Sequence, residues 1–149
     1  MVHEWRRGEY SISTDKGRLD VAMIHGFLTM SYWAAGVPME VVKRSIEHSL
    51  AFGVFKGDQQ VGFARIITDY ATFAYLGDVF ILEPFRGRGL SKWLMEVIVG
   101  HPELQGLRRW MLLTRDAHGL YGQVGFTEPS HPERYMEMHF ADVYKGETS

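Results

Sequence analysis

The sequence predicts a layered α/β or α+β fold in which helices pack against one central sheet. Three observations carry that expectation. Apolar runs of strand character interleave with segments whose apolar residues recur at helical spacing, in the order strand, two helices, three-strand meander, helix, strand, helix, strand. The chain has 149 residues, about the size of one ordinary domain. Hydrophobic residues make up 46% and charged residues 23%, the balance of a chain that folds rather than stays disordered. No internal repeat, low-complexity run or Pro/Gly/Ser linker divides it, so residues 1–149 are expected to form a single domain.

Each element has its own signal. Tyr10 to Thr14 alternates weakly and opens the sheet. Asp20 is placed to cap a helix in which Val21, Ile24, His25 and Leu28 share a face, ending near Ser31. A loop carrying Tyr32, Trp33 and Gly36 follows. Pro38 suits the first turn of a second helix, with Val41, Val42, Ser45, Ile46 and Leu50 at helical spacing. Ala51 to Lys56 and Val61 to Thr68 flank Gly57-Asp58-Gln59-Gln60 as a hairpin. Phe73 to Leu82 is dense in aromatic and branched residues, a strand that Pro84 closes. Gly89 to Val99 reads as a helix with Leu90, Trp93, Leu94, Val97 and Ile98 on one side. Arg109 to Thr114 is a short buried strand, Ala117 to Val124 a short helix capped by Asp116, and Tyr135 to Phe140 a last strand. Ala141 to Ser149 is a loose tail.

Composition narrows the function. Sixteen Lys and Arg against 18 Asp and Glu give a formal net charge of -2, not the basic excess of a nucleic-acid-coating domain. The chain has no cysteine, which removes disulfides, thiolate metal sites and a cysteine nucleophile. The seven histidines show no metal-binding spacing, so no metal is expected. Met1 to Gly8 is polar and leads into no apolar stretch, and Val21 to Val37 is interrupted by His25, Thr29 and Ser31. Neither a secretory signal nor a membrane span is expected, and the expected location is cytoplasmic.

The most informative segment runs from Phe80 to Trp93. A strand ends at Pro84, a loop with two glycines turns, and an amphipathic helix begins at once. Glycine lets backbone approach a ligand closely. The first amides of a helix lack internal partners and point along the positive end of its dipole, which makes an anion site, most often for a diphosphate. Arg86, Arg88 and Lys92 add positive charge there. The same spacing also suits a tight strand-to-helix turn with solvated arginines. It is neither a Walker loop nor a dinucleotide fingerprint, whose glycine spacings differ.

Arg86-Gly87-Arg88-Gly89-Leu90-Ser91 resembles the Arg/Gln-x-x-Gly-x-Gly/Ala hallmark of the GNAT superfamily, the acyl-CoA-dependent N-acyltransferases. Five positions fit; Ser91 stands where the family has Gly or Ala, and its small hydroxyl suits a phosphate oxygen. Downstream, Ala117-His118-Gly119-Leu120-Tyr121-Gly122-Gln123-Val124-Gly125-Phe126 resembles the family's A-x-x-L-Y-x-x-x-G-F signature. With the element order, the resemblance covers most of the chain.

The resemblance implies a GNAT-like, mostly antiparallel mixed sheet with about four helices, splayed between the family's fourth and fifth strands. It implies acetyl-CoA as co-substrate, with no metal. The pyrophosphate would rest on the amides of Arg88 to Lys92, supported by Arg86, Gly87, Gly89, Leu90 and Ser91, and the pantetheine would lie along the splay beside Phe80 and Ile81. Tyr121 matches the family tyrosine that protonates the departing CoA sulfur. Backbone amides around Val79 to Ile81 would hold the oxyanion.

Two further assignments come from the residues. Asp78 interrupts an apolar strand, where a charge must be paired or used. It is a candidate base or ammonium binder, or else a polar strand position that faces solvent or pairs with Arg65 or Arg115. Tyr32 and Trp33 are candidates to line the acceptor pocket, and Arg108 and Arg109 are either solvated or near the 3′-phosphate. The expected activity is transfer of acetyl from acetyl-CoA to a primary amine on a small molecule or peptide, in a ternary complex. The alternative is a catalytically silent acyl-CoA-binding domain of the same fold. The expected state is monomer or homodimer, without nucleic acid or membrane as partner.

Overall fold

The computed structural model describes residues 1–145, and there the chain forms one six-stranded sheet in the order β1-β2-β3-β4-β5-β6. The strands are β1 (Glu4–Arg7), β2 (Tyr10–Ser13), β3 (Leu50–Lys56), β4 (Gln59–Thr68), β5 (Phe73–Ile81) and β6 (Arg109–Leu112). The first five are antiparallel neighbours; β6 joins β5 in parallel after a crossover through a helix. Four α-helices flank the sheet: α1 (Val21–Leu28), α2 (Met39–Glu47), α3 (Leu90–Val99) and α4 (His118–Gly122). The family's fourth and fifth strands are β5 and β6 here, because β1 adds a strand at the N-terminal edge.

Alternation along the strands sorts the core into two layers. Phe52, Ala64, Ile66 and Leu76 face α3 and α4, where Leu94, Met95 and Ile98 meet them. Ala51, Phe63 and Phe80 point the other way, onto Ile24 and Leu28 of α1 and Val42 and Ile46 of α2. Each of those buried aliphatic side chains contributes about 1.5–3 kcal/mol. Asp20 caps α1 as its sequence position predicts, accepting from the Met23 amide at 3.0 Å. His25, on the same helix, hydrogen-bonds through Nε2 to the Val37 carbonyl at 3.0 Å and ties the loop between the helices down.

The structure departs from the expected elements at several places, among them the strand before α4, which ends at Leu112 and is exposed or half-buried rather than buried. Strand β1 was not legible, since Glu-Trp-Arg-Arg is mostly exposed and carries no apolar alternation. The hairpin turn is Gly57-Asp58 alone, with Gln59 and Gln60 already in β4. Asp116 does not cap α4; the Thr114 hydroxyl accepts from the Ala117 amide instead, at 3.0 Å. Most importantly, Tyr135 to Phe140 is not a strand. Its alternation finds no face to bury against, so Met136, Met138 and Phe140 are 97%, 84% and 65% exposed. The chain is pinned again at Tyr144, which packs on the α1/α2 layer with its carbonyl close to Gly36. Residues 146–149 of the expected tail lie outside the described residues.

His101, after α3, is fully buried, and its Nδ1 accepts from the Glu103 amide at 3.0 Å. The neutral ring therefore carries its proton on Nε2, beside His3, whose ring lies 4.7 Å away edge-on. His3, His101 and Glu103 are close enough to suggest a cation site, but an Nε2 that bears a proton is a donor, not a ligand. Burial and the neighbouring His3 hold the His101 pKa below its ordinary 6.5, despite the opposing pull of Glu103. The unfolded chain therefore binds this proton first as pH falls. Stability from His101 is complete above pH 6.5 and is lost below it. Urea midpoints measured from about pH 7 to about pH 5 should fall more steeply in the wild type than in His101→Asn, which keeps a capping side chain. Parallel slopes would exclude His101 as the cause.

Candidate active site

The site grows from a mismatch in strand length. β5 has nine residues, yet β6 pairs only with Phe73 to Leu76. From Gly77 to Ile81 the β6-facing edge of β5 has no strand against it, so a wedge opens between the two strands. Parallel pairing of β5 and β6 needs the α3 crossover, so loop and helix arrive at the wedge's mouth.

That loop has the shape of an open cradle. Gly87 and Gly89 have φ of 78° and 76°, in the left-handed region that a side chain disfavours. A Cβ added at either would meet nothing within 4 Å, so the space above both is open to a ligand. A pocket of about 210 Å³ lies there, lined by Ile81, Phe85, Arg86, Gly87, Gly89, Leu90, Ser91, Lys92 and Leu120. Arg86 is drawn back: its Nε donates to the Ile81 carbonyl at 2.9 Å and straps the loop to the end of β5. Arg88 is exposed and does not line the pocket. Phe80 turns its ring away, stacking on Phe27 at 3.9 Å, so only its backbone edges the wedge.

Asp78 sits where β5 bulges against β4 between Phe63 and Arg65, at φ 54°. Such strained backbone concentrates at functional sites. Its two oxygens are both engaged, Oδ2 by Arg65 Nε at 2.6 Å and Oδ1 by Trp33 Nε1 at 2.8 Å. Between its two sequence-level partners the structure selects Arg65. The side chains are only 18% and 11% exposed, and removing one member of a pair so buried costs about 3–5 kcal/mol. Arg65 also donates through Nη1 to Ser49 Oγ at 3.3 Å. Arg115 stacks instead over Tyr32 at 3.8 Å. The loop after α1 is thus fastened to both lips of the wedge, by Trp33 to β5 and by Tyr32 to the segment after β6.

Tyr121 lies on α4, next in sequence to Leu120 of the pocket lining. It is 9% exposed, edge-on to Phe126 at 6.1 Å. Burial, with Tyr32 and Asp116 adding to it, raises its pKa above the ordinary value of 10, so the hydroxyl stays protonated at neutral pH. Trp33 thus meets Asp78 on β5, Tyr32 packs edge-on to Trp33 at 5.1 Å, and Leu120, next to Tyr121, lines the pocket at the glycine loop. Sequence reasoning overlooked Phe27, and Arg115 as a partner of Tyr32; neither carries a local signal. Arg108 and Arg109 are exposed, and Arg109 lies over the Tyr135 ring at 5.9 Å.

The comparisons with known proteins agree with this architecture. A GNAT-family protein from Xanthomonas campestris pv. campestris is 50% identical, covers 98% of both chains and superposes with a TM-score of 0.88. A candidate acetyltransferase from Gibberella zeae is 34% identical over 142 residues, 80% of this chain and 79% of its own. A candidate acetyltransferase from Deinococcus radiodurans shares the fold at 20% identity, covering 95% and 96% of the two chains with a TM-score of 0.73. Among the described residues no helix is long and apolar enough to cross a membrane. Residues 3–126 match the model of the acetyltransferase (GNAT) family, and the chain belongs to that family.

Proposed function

We propose that the protein transfers an acetyl group from acetyl-CoA to a primary amine by direct attack within a ternary complex. The observation that carries this reading is the open space above Gly87 and Gly89, at the mouth of an unpaired β5 edge. A diphosphate fits such a cradle, because the helix amides there are unpartnered and Ser91 and Lys92 line it. A candidate acetyltransferase of the same fold from Clostridium acetobutylicum was solved with acetyl-CoA, at 11% identity and a TM-score of 0.63.

The residues then divide the work. Gly87, Gly89, Leu90, Ser91 and Lys92 hold the pyrophosphate, while Arg86 fixes the loop and Arg88 contributes long-range charge. The backbone of Phe80 and Ile81 guides the pantetheine arm, and amides around Val79 to Ile81 receive the carbonyl oxygen as charge develops. Tyr121 donates its proton to the sulfur as the thioester bond breaks. Asp78, held by an arginine and an indole, is a fixed carboxylate suited to anchoring a cation. We assign it to hold the incoming ammonium and pass its proton to water. Tyr32 and Trp33 wall the acceptor side. A silent acyl-CoA binder needs no protonated tyrosine in the wedge, and Tyr121 favours the enzyme.

Calorimetric titration with acetyl-CoA, CoA and ATP tests the reading. Saturable heats for the two CoA species and none for ATP are expected, followed by amine-dependent release of CoA thiol. Absence of binding by both CoA species would overturn it.

A further inference from the structure

A second concavity shares no lining residue with the pocket at the glycine loop and reaches the wedge through the Arg65–Asp78 pair. It lies between the C-terminal turn of α2 and β4, has a volume of about 320 Å³, and is lined by Val41, Arg44, Ser45, His48, Ser49, Arg65 and Ile67. Its basic residues are Arg44, His48 and Arg65, and no carboxylate lines it. Arg65 forms the wall between this groove and Asp78, one hydrogen bond from each of Asp78 and Ser49. In register, Arg65 faces Gly77 and Ile67 faces Tyr75, which places the groove beside the point where β6 leaves β5.

Basic side chains at a helix C-terminus often serve its exposed carbonyls, but here those carbonyls are already used. Ser45 Oγ donates to Val42, the His48 amide to Arg44, Ser49 Oγ to Ser45, the Ser49 amide to Ile46 and Lys16 to Glu47. Lys43 faces Glu40, and Glu47 lies 4.0 Å from His48 with both side chains 73% exposed. Among the described residues Arg44 makes no ion pair or side-chain hydrogen bond. An arginine with a free fork at the rim of a groove is suited to a planar or tetrahedral anion.

We propose that this groove receives an anionic group, carboxylate or phosphate, carried by the amine that the site acetylates. The inference rests on the acetyltransferase reading and deepens it. The substrate's ammonium end meets Asp78 while its anionic end extends along β4 to Arg44 and Arg65. The acceptor is thereby an amino acid-like or phosphorylated amine rather than a simple alkylamine or polyamine.

Nitrogen-15-labelled protein, first saturated with CoA to fill the phosphate cradle, is titrated separately with acetate and inorganic phosphate. Shifts centred on the His48 and Ser49 amides and the Arg44 side chain are expected, with the two titrations distinguishing carboxylate from phosphate. Arg44→Gln should weaken them roughly tenfold, the loss expected for one charge-assisted hydrogen bond, without changing acetyl-CoA affinity. Thiol release is then compared for β-alanine against its amide and phosphoethanolamine against ethanolamine, and KM should be lower for an anionic member. Shifts confined to Arg88–Lys92, groove shifts unchanged in Arg44→Gln, or a preference for both neutral amines would overturn the inference. A failure of CoA to bind overturns the acetyltransferase reading instead, and the groove shifts remain readable residue by residue.

Discussion

Gly89→Val should lose acetyl-CoA affinity on the order of a hundredfold while remaining folded, because two independent effects act at one residue. The first is conformational. At φ 76° a β-branched residue is strongly disfavoured, at a cost of about 1–2 kcal/mol or more, so the first turn of α3 must shift to relieve it. That shift turns the cradle amides away from their common focus, and each lost charge-assisted hydrogen bond is worth about 1.5–3 kcal/mol. The second effect is steric. No protein atom lies within 4 Å of the position a Cβ would take, so the new side chain enters the space left for the ligand. Gly89→Ala separates the two, since it adds most of the strain with little of the bulk. Calorimetry gives the affinities, and circular dichroism with thermal melting shows whether α3, whose Leu94, Met95 and Ile98 are buried, stays docked. Unchanged affinity in a folded Val variant would remove the cradle from the CoA site.

The cradle was legible in the sequence because its chemistry is local. Strand, glycines and helix start lie within one short segment, and the two positive-φ positions are the two glycines whose spacing draws notice. The Asp78 network was legible only in part. A carboxylate in an apolar strand announces that it needs a partner, but Arg65 is 13 residues away and Trp33 45, and spacing cannot choose among the arginines. The Arg115–Tyr32 stack is longer-range still and has no sequence signature. At the chain's ends the pattern failed in opposite directions. β1 forms without alternation because backbone pairing to β2 suffices for an exposed edge strand. Tyr135 to Phe140 alternates and yet forms no ladder, since alternation reports fitness for a half-buried pleated surface and does not supply one. What converged at the wedge depended on β6 being four residues long against nine in β5, a difference no motif encodes.

Tyr121→Phe should lower turnover by roughly a hundredfold or more, the span usual for a lost general acid, while acetyl-CoA affinity stays within about twofold. The asymmetry follows from where the hydroxyl and the ring do their work. The ring is packed edge-on to Phe126 at 6.1 Å and belongs to the α3/α4 layer, and phenylalanine preserves that packing. Only the proton donor disappears, and a group that acts when the C–S bond breaks contributes to kcat rather than to ground-state binding. The pH profile adds a test that packing alone cannot satisfy. Burial raises the Tyr121 pKa above 10, so its ionisation should produce no fall in wild-type kcat between about pH 7 and about pH 9.5. In the variant, water must protonate the sulfur, and thioester donors with better leaving thiols should recover part of the loss. Equal damage to kcat and acetyl-CoA affinity would make Tyr121 a packing residue. An unchanged rate would leave the thiolate to depart unassisted, and the Tyr121 hydroxyl would then have no part in proton transfer.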